Sequence, residues 1–290
     1  MRHFDLIEPK SLHGACVALG VDEDVKVIAG GTALLTIIKQ GLLLPKVLVN
    51  LKKIRDASEI DFDPQDGLRI GALATISEIE TSPTVKQHYP ALAEACHVVA
   101  NIRIRNMATI GGNLAHGDYQ SDPPTVLAAL DARVELTSQR GKRILNLSDF
   151  QLGSYETALS PGELVSAILI PPPSNGLKGL YVKFTTGSSE ERPCAGVAAF
   201  TRTEGGICRE LRLAVGAVSP RPVRITSGEE QARNRPLTSE LIEKIASEAS
   251  QIIEPIDDIR GPAEYKRRLV QVLTRRTITA LANGNAENES

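Results

Sequence analysis

Apolar and polar positions divide the chain into two textures. In the first, short apolar blocks alternate with segments of helical period. Val25–Ala29 reads as a buried strand, and Gly30–Gly31 leads directly from it into a short helix over Thr32–Gln40. Val47–Leu51 and Leu68–Ile70 are further strands. Pro90 suits the first turn of a helix that carries Leu92, Cys96 and Val99 at helical spacing. Arg133–Leu136 and Leu164–Ile170 are strands again. The second of these is stopped by Pro171–Pro172–Pro173, which with Ser174–Asn175–Gly176 forms the clearest linker in the chain.

Beyond that linker the blocks shorten. Gly179–Phe184, Ala195–Arg202 and Leu211–Val218 read as strands separated by turn residues such as Glu204–Gly205–Gly206. Two helices come next, Ser239–Ile252 and Ala263–Leu281, the second with Tyr265, Leu269, Val272 and Leu273 as its apolar stripe. The polar tail after Asn283 is expected to fray. The expected fold class is α+β, with one domain over 1–175 and a smaller domain of sheet and helices over 176–290.

Composition narrows the function classes. The 290 residues include 33 basic and 35 acidic side chains without a basic block, which argues against nucleic acid and anionic membranes as partners. No apolar run reaches the roughly 18–20 residues of a membrane span. Arg2, His3, Asp5 and Glu8 exclude the apolar core of a signal peptide, so a cytoplasmic location is expected. Cys16, Cys96, Cys194 and Cys208 are scattered, and the five histidines make no ligand pattern. Neither a zinc site nor an iron–sulfur cluster can be argued from such spacing, and the thiols are expected to act as small apolar side chains.

The candidate chemistry lies at two glycine pairs. Ile28–Ala29–Gly30–Gly31–Thr32–Ala33–Leu34 is a strand breaking into two glycines at a helix start. Free amides in such a turn suit a diphosphate. Arg105–Asn106–Met107–Ala108–Thr109–Ile110–Gly111–Gly112–Asn113–Leu114–Ala115–His116 is read as carrying a second glycine turn, and it ends in Ser121–Asp122–Pro123–Pro124. Neither stretch has the glycine spacing of a dinucleotide fingerprint or the lysine of a P-loop.

The pair Ala29–Gly30–Gly31–Thr32 and Thr109–Ile110–Gly111–Gly112–Asn113, in this register, resembles the two FAD-binding motifs of molybdenum hydroxylase flavoprotein subunits. That is the family of xanthine dehydrogenase and carbon monoxide dehydrogenase. Ser121–Asp122–Pro123, a Ser11–Leu19 helix, the Asn50–Leu51 strand end and Glu163–Pro171 are similar to it as well. The resemblance implies a two-part, PCMH-like FAD-binding domain and a C-terminal domain with an antiparallel sheet. It implies that Ile28, Ala29, Gly30, Gly31, Thr32, Ala33 and Leu34, with Gly111, Gly112 and Asn113, cradle the FAD diphosphate, and that Ala108 and Thr109 line the same cleft. Asp122, assisted by Ser121, would bond ribose or ribityl hydroxyls. His116 and Val165 would lie near the flavin, and Lys183, after Tyr181, would reach the ring edge. Taken alone, these last three residues equally fit a loop histidine, a core valine and a solvated lysine. The Phe184–Pro193 stretch departs from the pattern: it is longer than in many relatives and has no tyrosine to set against the flavin.

The same resemblance implies an electron-transfer subunit with FAD. Its attachment is expected to be non-covalent, since the first motif holds no histidine or cysteine for a covalent link. Molybdopterin would sit on a large partner subunit and 2Fe–2S clusters on a small one, in a dimer of heterotrimers. No catalytic or metal-binding residue of its own is expected. The alternatives are a stand-alone FAD-dependent oxidoreductase, for which the region after the linker is small, and a flavin-free scaffold.

Overall fold

A computed structural model describes residues 3–20, 22 and 24–286. The first part is a three-stranded parallel sheet in the spatial order Asp5–Ile7, Val47–Asn50, Val25–Ile28. Parallel neighbours need crossovers, and the helices Leu12–Leu19 and Leu34–Lys39 supply them. Ala15, Cys16, Val49, Leu51, Ile54 and Ala57 form its small core, which Leu164 joins from the next sheet.

The second part is a five-stranded antiparallel sheet. Its order is Ile60–Asp63, Gly67–Gly71, Leu164–Ile170, Arg133–Ser138, Gly141–Asn146. The helices Ile76–Thr81, Pro83–His88, Pro90–His97 and Pro123–Ala129 contribute to the same main core. Leu164–Ile170 has the bounds its buried, largely apolar run implies. The edge strand Gly141–Asn146 was not legible, because an exposed edge with Lys142 and Arg143 shows no apolar alternation.

After the prolines, Lys178–Phe184, Ala195–Glu204, Ile207–Gly216 and Val223–Arg224 make a four-stranded antiparallel meander. Its two faces go to different cores, as a period of two allows. Ala195, Val197, Ala199, Leu213 and Val215 pack with residues of the Ser239–Ile252 and Ala263–Ala286 helices. Tyr181, Ala198, Phe200 and Ala214 enter the main core. The expected α+β architecture is therefore present, and the linker separates two sheets that share one core.

The stripe read on the last helix holds in part: Leu273 is buried and Leu269 packs against the same core, but the rest of the buried face lies elsewhere on the helix. Val270, Leu273, Ile278 and Leu281 are buried, with Lys266 at 0% exposure, whereas Tyr265 is 40% exposed. Lys266 can turn inward because its Nζ donates to Ile256 O at 2.8 Å and to Asp258 Oδ2 at 2.6 Å. Tyr265 stays at the surface, edge-on to Phe184 with ring centroids 6.5 Å apart. All four cysteines are free and buried, as small apolar residues would be. Among the described residues no helix is long and apolar enough to cross a membrane, and no histidine, cysteine or carboxylate cluster could hold a metal ion.

Candidate functional site

A cleft of about 650 Å³ opens between the parallel and antiparallel sheets. One wall is the turn after Val25–Ile28. Gly31 has φ +74, a left-handed conformation, and a Cβ on Gly30 would come within 1.9 Å of Met107 O. Both glycines are thus demanded by geometry, Gly31 by its backbone angle and Gly30 by contact with the other motif. Among the described residues no hydrogen-bond acceptor meets the main-chain N–H of Gly30, Gly31, Thr32, Ala33 or Leu34. The carbonyls of Gly31 and Ala33 are engaged further on, with Leu35 N donating to Gly31 O at 3.0 Å and Ile37 N to Ala33 O at 3.2 Å. The wall therefore holds consecutive unpaired donors, the arrangement that binds anionic oxygens.

The opposite wall differs from its sequence expectation. Gly111–Gly112–Asn113 is the first turn of a helix, Ile110–His116, and not an open turn. Thr109 caps it, its Oγ1 accepting from Gly112 N at 3.2 Å. Ile110 N donates to Ala74 O at 3.0 Å, Gly111 N to Ala72 O at 2.9 Å and Asn113 N to Thr109 O at 2.9 Å. Every amide from Ile110 to Asn113 is occupied. Gly111 is small for packing, since its Cβ would lie 2.5 Å from Ala72 Cβ. What this wall offers the cleft is side chains: Ser121 Oγ lies 2.7 Å from Asn113 Nδ2 and 3.0 Å from Oδ1.

Asp122 forms part of the wall and is almost fully buried. Its Oδ1 accepts from Tyr181 Oη at 2.8 Å and its Oδ2 from Lys183 Nζ at 3.1 Å. Burial pushes the carboxyl up to about 6, against the lowering effect of the Lys183 charge and the two hydrogen bonds. Lys183 is itself buried and also donates to Val98 O at 2.7 Å. It is not among the residues that line the cleft, and its ammonium meets Asp122 and Val98 O. Ile28 is also absent from the wall, with its side chain packed toward Gly31. The other residues singled out from the sequence, including Ala108, Thr109, His116 and Val165, do line the cleft. With Val165, an apolar surface of Val27, Leu51, Leu73, Leu159 and Leu164 completes the enclosure.

Two family matches meet this geometry. The family described as "FAD binding domain in molybdopterin dehydrogenase" matches residues 2–173, and "CO dehydrogenase flavoprotein C-terminal domain" matches residues 186–281. The chain belongs to the FAD-binding medium subunits of the molybdenum hydroxylases. It is 35% identical to the nicotine 6-hydroxylase medium subunit of Paenarthrobacter nicotinovorans over 93% of this chain and 94% of that one. It is 33% identical to the carbon monoxide dehydrogenase medium chain of Afipia carboxidovorans, covering 98% of each. Among solved structures it is similar to carbon monoxide dehydrogenase from Hydrogenophaga pseudoflava, with a TM-score of 0.92 at 31% identity, covering 96% of this chain and 97% of that one.

For a medium subunit of this family the cleft has the properties FAD requires. The unpaired amides of Gly30 to Leu34 match a diphosphate, the hydroxyl and amide at Ser121 and Asn113 match sugar or ribityl oxygens, and the apolar wall matches a ring. The far end of the cleft was not legible in the sequence. Asp118 is buried and paired with Arg192 at 2.6 Å, Arg260 Nη1 donates to Gln120 Oε1 at 2.9 Å, and Glu190 and Glu191 complete the rim. Nothing in the local sequence marks Arg260 as a cleft residue, since it arrives from a segment that follows the last meander strand and the Ser239–Ile252 helix. The divergent Phe184–Pro193 stretch thus contributes acidic and basic side chains in place of a tyrosine.

Proposed function

We propose that this chain holds FAD non-covalently as the electron-transfer subunit of a molybdenum hydroxylase complex. The supporting observation is the run of unpaired N–H donors from Gly30 to Leu34 in the wall of an otherwise apolar cleft. When bound, FAD supplies the redox chemistry, accepting electrons singly and releasing them in pairs. The residues here do the holding. Backbone donors offset the diphosphate charge without a side chain, and the apolar wall displaces water from the ring. Asn113 and Ser121 orient one another toward the sugar or ribityl hydroxyls. Asp122, with Tyr181 and Lys183 behind it, ties the cleft floor to the C-terminal sheet.

The electrons would come from 2Fe–2S clusters on a small subunit, and a large molybdopterin subunit would hydroxylate the substrate, in a dimer of heterotrimers in the cytoplasm. The medium-subunit and medium-chain names of the relatives support this, as does the similar carbon monoxide dehydrogenase, a form described as lacking the Mo-pyranopterin moiety of its molybdenum cofactor. Acid precipitation of the purified chain should release all of the flavin, as FAD, at about one per chain. Flavin that stays with the pellet, or FMN in its place, would overturn the cofactor assignment. Mixing with the partner subunits should restore substrate-dependent flavin reduction, while substrate oxidation by this chain alone would favour a stand-alone flavoenzyme.

A further inference from the structure

The hairpin beside the cleft contains a residue its turn does not favour. Strands Gln151–Gly153 and Glu156–Thr157 are joined by Ser154 and Tyr155, and Tyr155 has φ +59. Left-handed positions in tight hairpins ordinarily go to glycine, asparagine or aspartate, because a larger side chain is strained there. Burial does not offset that strain, since Tyr155 is 55% exposed. Its ring lies instead against His116, with centroids 5.1 Å apart and planes tilted by 59°.

The backbone aims it there. Tyr155 N donates to Gly117 O at 2.7 Å, and Gly117, with φ +64, is the C-cap of the helix that ends in His116. A Cβ on Gly117 would come within 3.2 Å of Tyr155 Cα, so helix cap and hairpin turn are in contact. His116 lines the cleft, and Tyr155 covers it from outside. The charged groups facing the pair are Asp118, Arg192 and Arg260. Burial holds the imidazole below its ordinary range, against the pull of Asp118 and with Arg192 adding to the lowering. Burial, then the Asp118 charge and the phenol's hydrogen bond to that carboxylate, raise the Tyr155 phenol, against the opposing Arg192 and Arg260 charges.

We propose that Tyr155 is a positioning residue: its strained turn holds an aromatic ring against His116 and so fixes the imidazole in the cleft wall for cofactor binding. This rests on the cleft being the FAD site. A fixed, neutral imidazole presents one donor and one acceptor in set directions, whereas a free one would have to be ordered by the cofactor itself.

The test compares the full chain with Tyr155→Gly and Tyr155→Phe. FAD affinity is read by titrating apo-protein, His116 by its NMR titration, and the fold by the Tm of the apo form. Tyr155→Gly should weaken FAD about three- to tenfold, the scale of one aromatic contact. It should also raise the His116 pKa toward its ordinary value. Its apo Tm should hold or rise, because relief of the left-handed strain offsets the lost ring contact. Tyr155→Phe, which keeps the ring and gives up only the phenol's bond to Asp118, should restore the affinity and most of the titration shift. Unchanged FAD affinity and His116 titration in Tyr155→Gly would overturn the proposal, as would a Tm that falls in step with affinity. Wild-type chain that binds no FAD would sink the cofactor reading, and this proposal with it.

Discussion

The two glycine pairs of this chain look alike in sequence and do opposite work. At Gly30–Gly31 the turn is open: Gly31 takes a left-handed conformation, and the amides from Gly30 to Leu34 are left without acceptors among the described residues. At Gly111–Gly112 the backbone is helical, and each amide from Ile110 to Asn113 already has a partner. The first pair offers donors to a ligand. The second lets a helix approach Ala72, and so places Asn113 and His116 along the cleft. A Gly-Gly pair at a helix start is therefore an anion site only if the amides remain unpaired, and that depends on what packs behind them.

That contrast can be broken most severely at Gly30. Gly30→Ala would drive a methyl into Met107 O and force the two motifs apart, at or above the roughly 3 kcal/mol upper end of ordinary overpacking. Flavin content of the purified protein should fall to near zero, and full retention would mean the first turn is not the cradle. Gly111→Ala tests the other motif. It meets Ala72 and should lower stability by about 2 kcal/mol in a thermal or urea melt. Excess FAD should still saturate it, because the free donors lie on the other wall.

A pH experiment examines the floor between the walls. The Asp122 carboxyl is raised from 3.8 to about 6 by burial, so the folded state holds its proton more tightly than the unfolded chain does. Its contribution to stability is present below about pH 4 and is lost as pH rises through about 6, by about 3 kcal/mol. Other carboxylates, such as Glu80 and Asp258, are lowered and slope the opposite way, so the effect is read as a difference between wild type and Asp122→Asn. A difference that stays flat across that window would remove Asp122 as a titrating floor residue. The smallest effect is expected at the helix cap. Thr109→Ala should cost about 1 kcal/mol of stability and leave FAD binding almost unchanged. A large loss of FAD in that variant would show that the second wall contributes binding after all.

The sequence revealed elements wherever local pattern and local structure coincide. Leu164–Ile170 is a central strand, apolar but for Ser166 and ended by prolines, and Ser239–Ile252 is an amphipathic helix, so both have the expected bounds. Gly141–Asn146 escaped because an exposed edge strand has no buried face to imprint alternation on it. The Ala263–Ala286 stripe was placed only in part because a lysine reads as polar, yet Lys266 has its charge met by Asp258 and is buried. In the site, the glycine motifs were visible as residue types at a spacing. Arg260, which meets Gln120 from 140 positions away, left no local trace.

The sequence by itself determined the main buried strands and the two long C-terminal helices, the linker, the family and the two stretches between which the cleft forms. All of these are written in side-chain period, proline and glycine placement, and motif register, which are properties of neighbouring residues. The tertiary structure decided which amides are free, because an N–H is spent or spared by a carbonyl that can come from anywhere in the chain, as Ala72 and Ala74 do for Gly111 and Ile110. It also decided that Lys183 serves Asp122 and stays out of the cleft. A buried ammonium must find an acceptor, and the carboxylate it meets here belongs to another domain's loop.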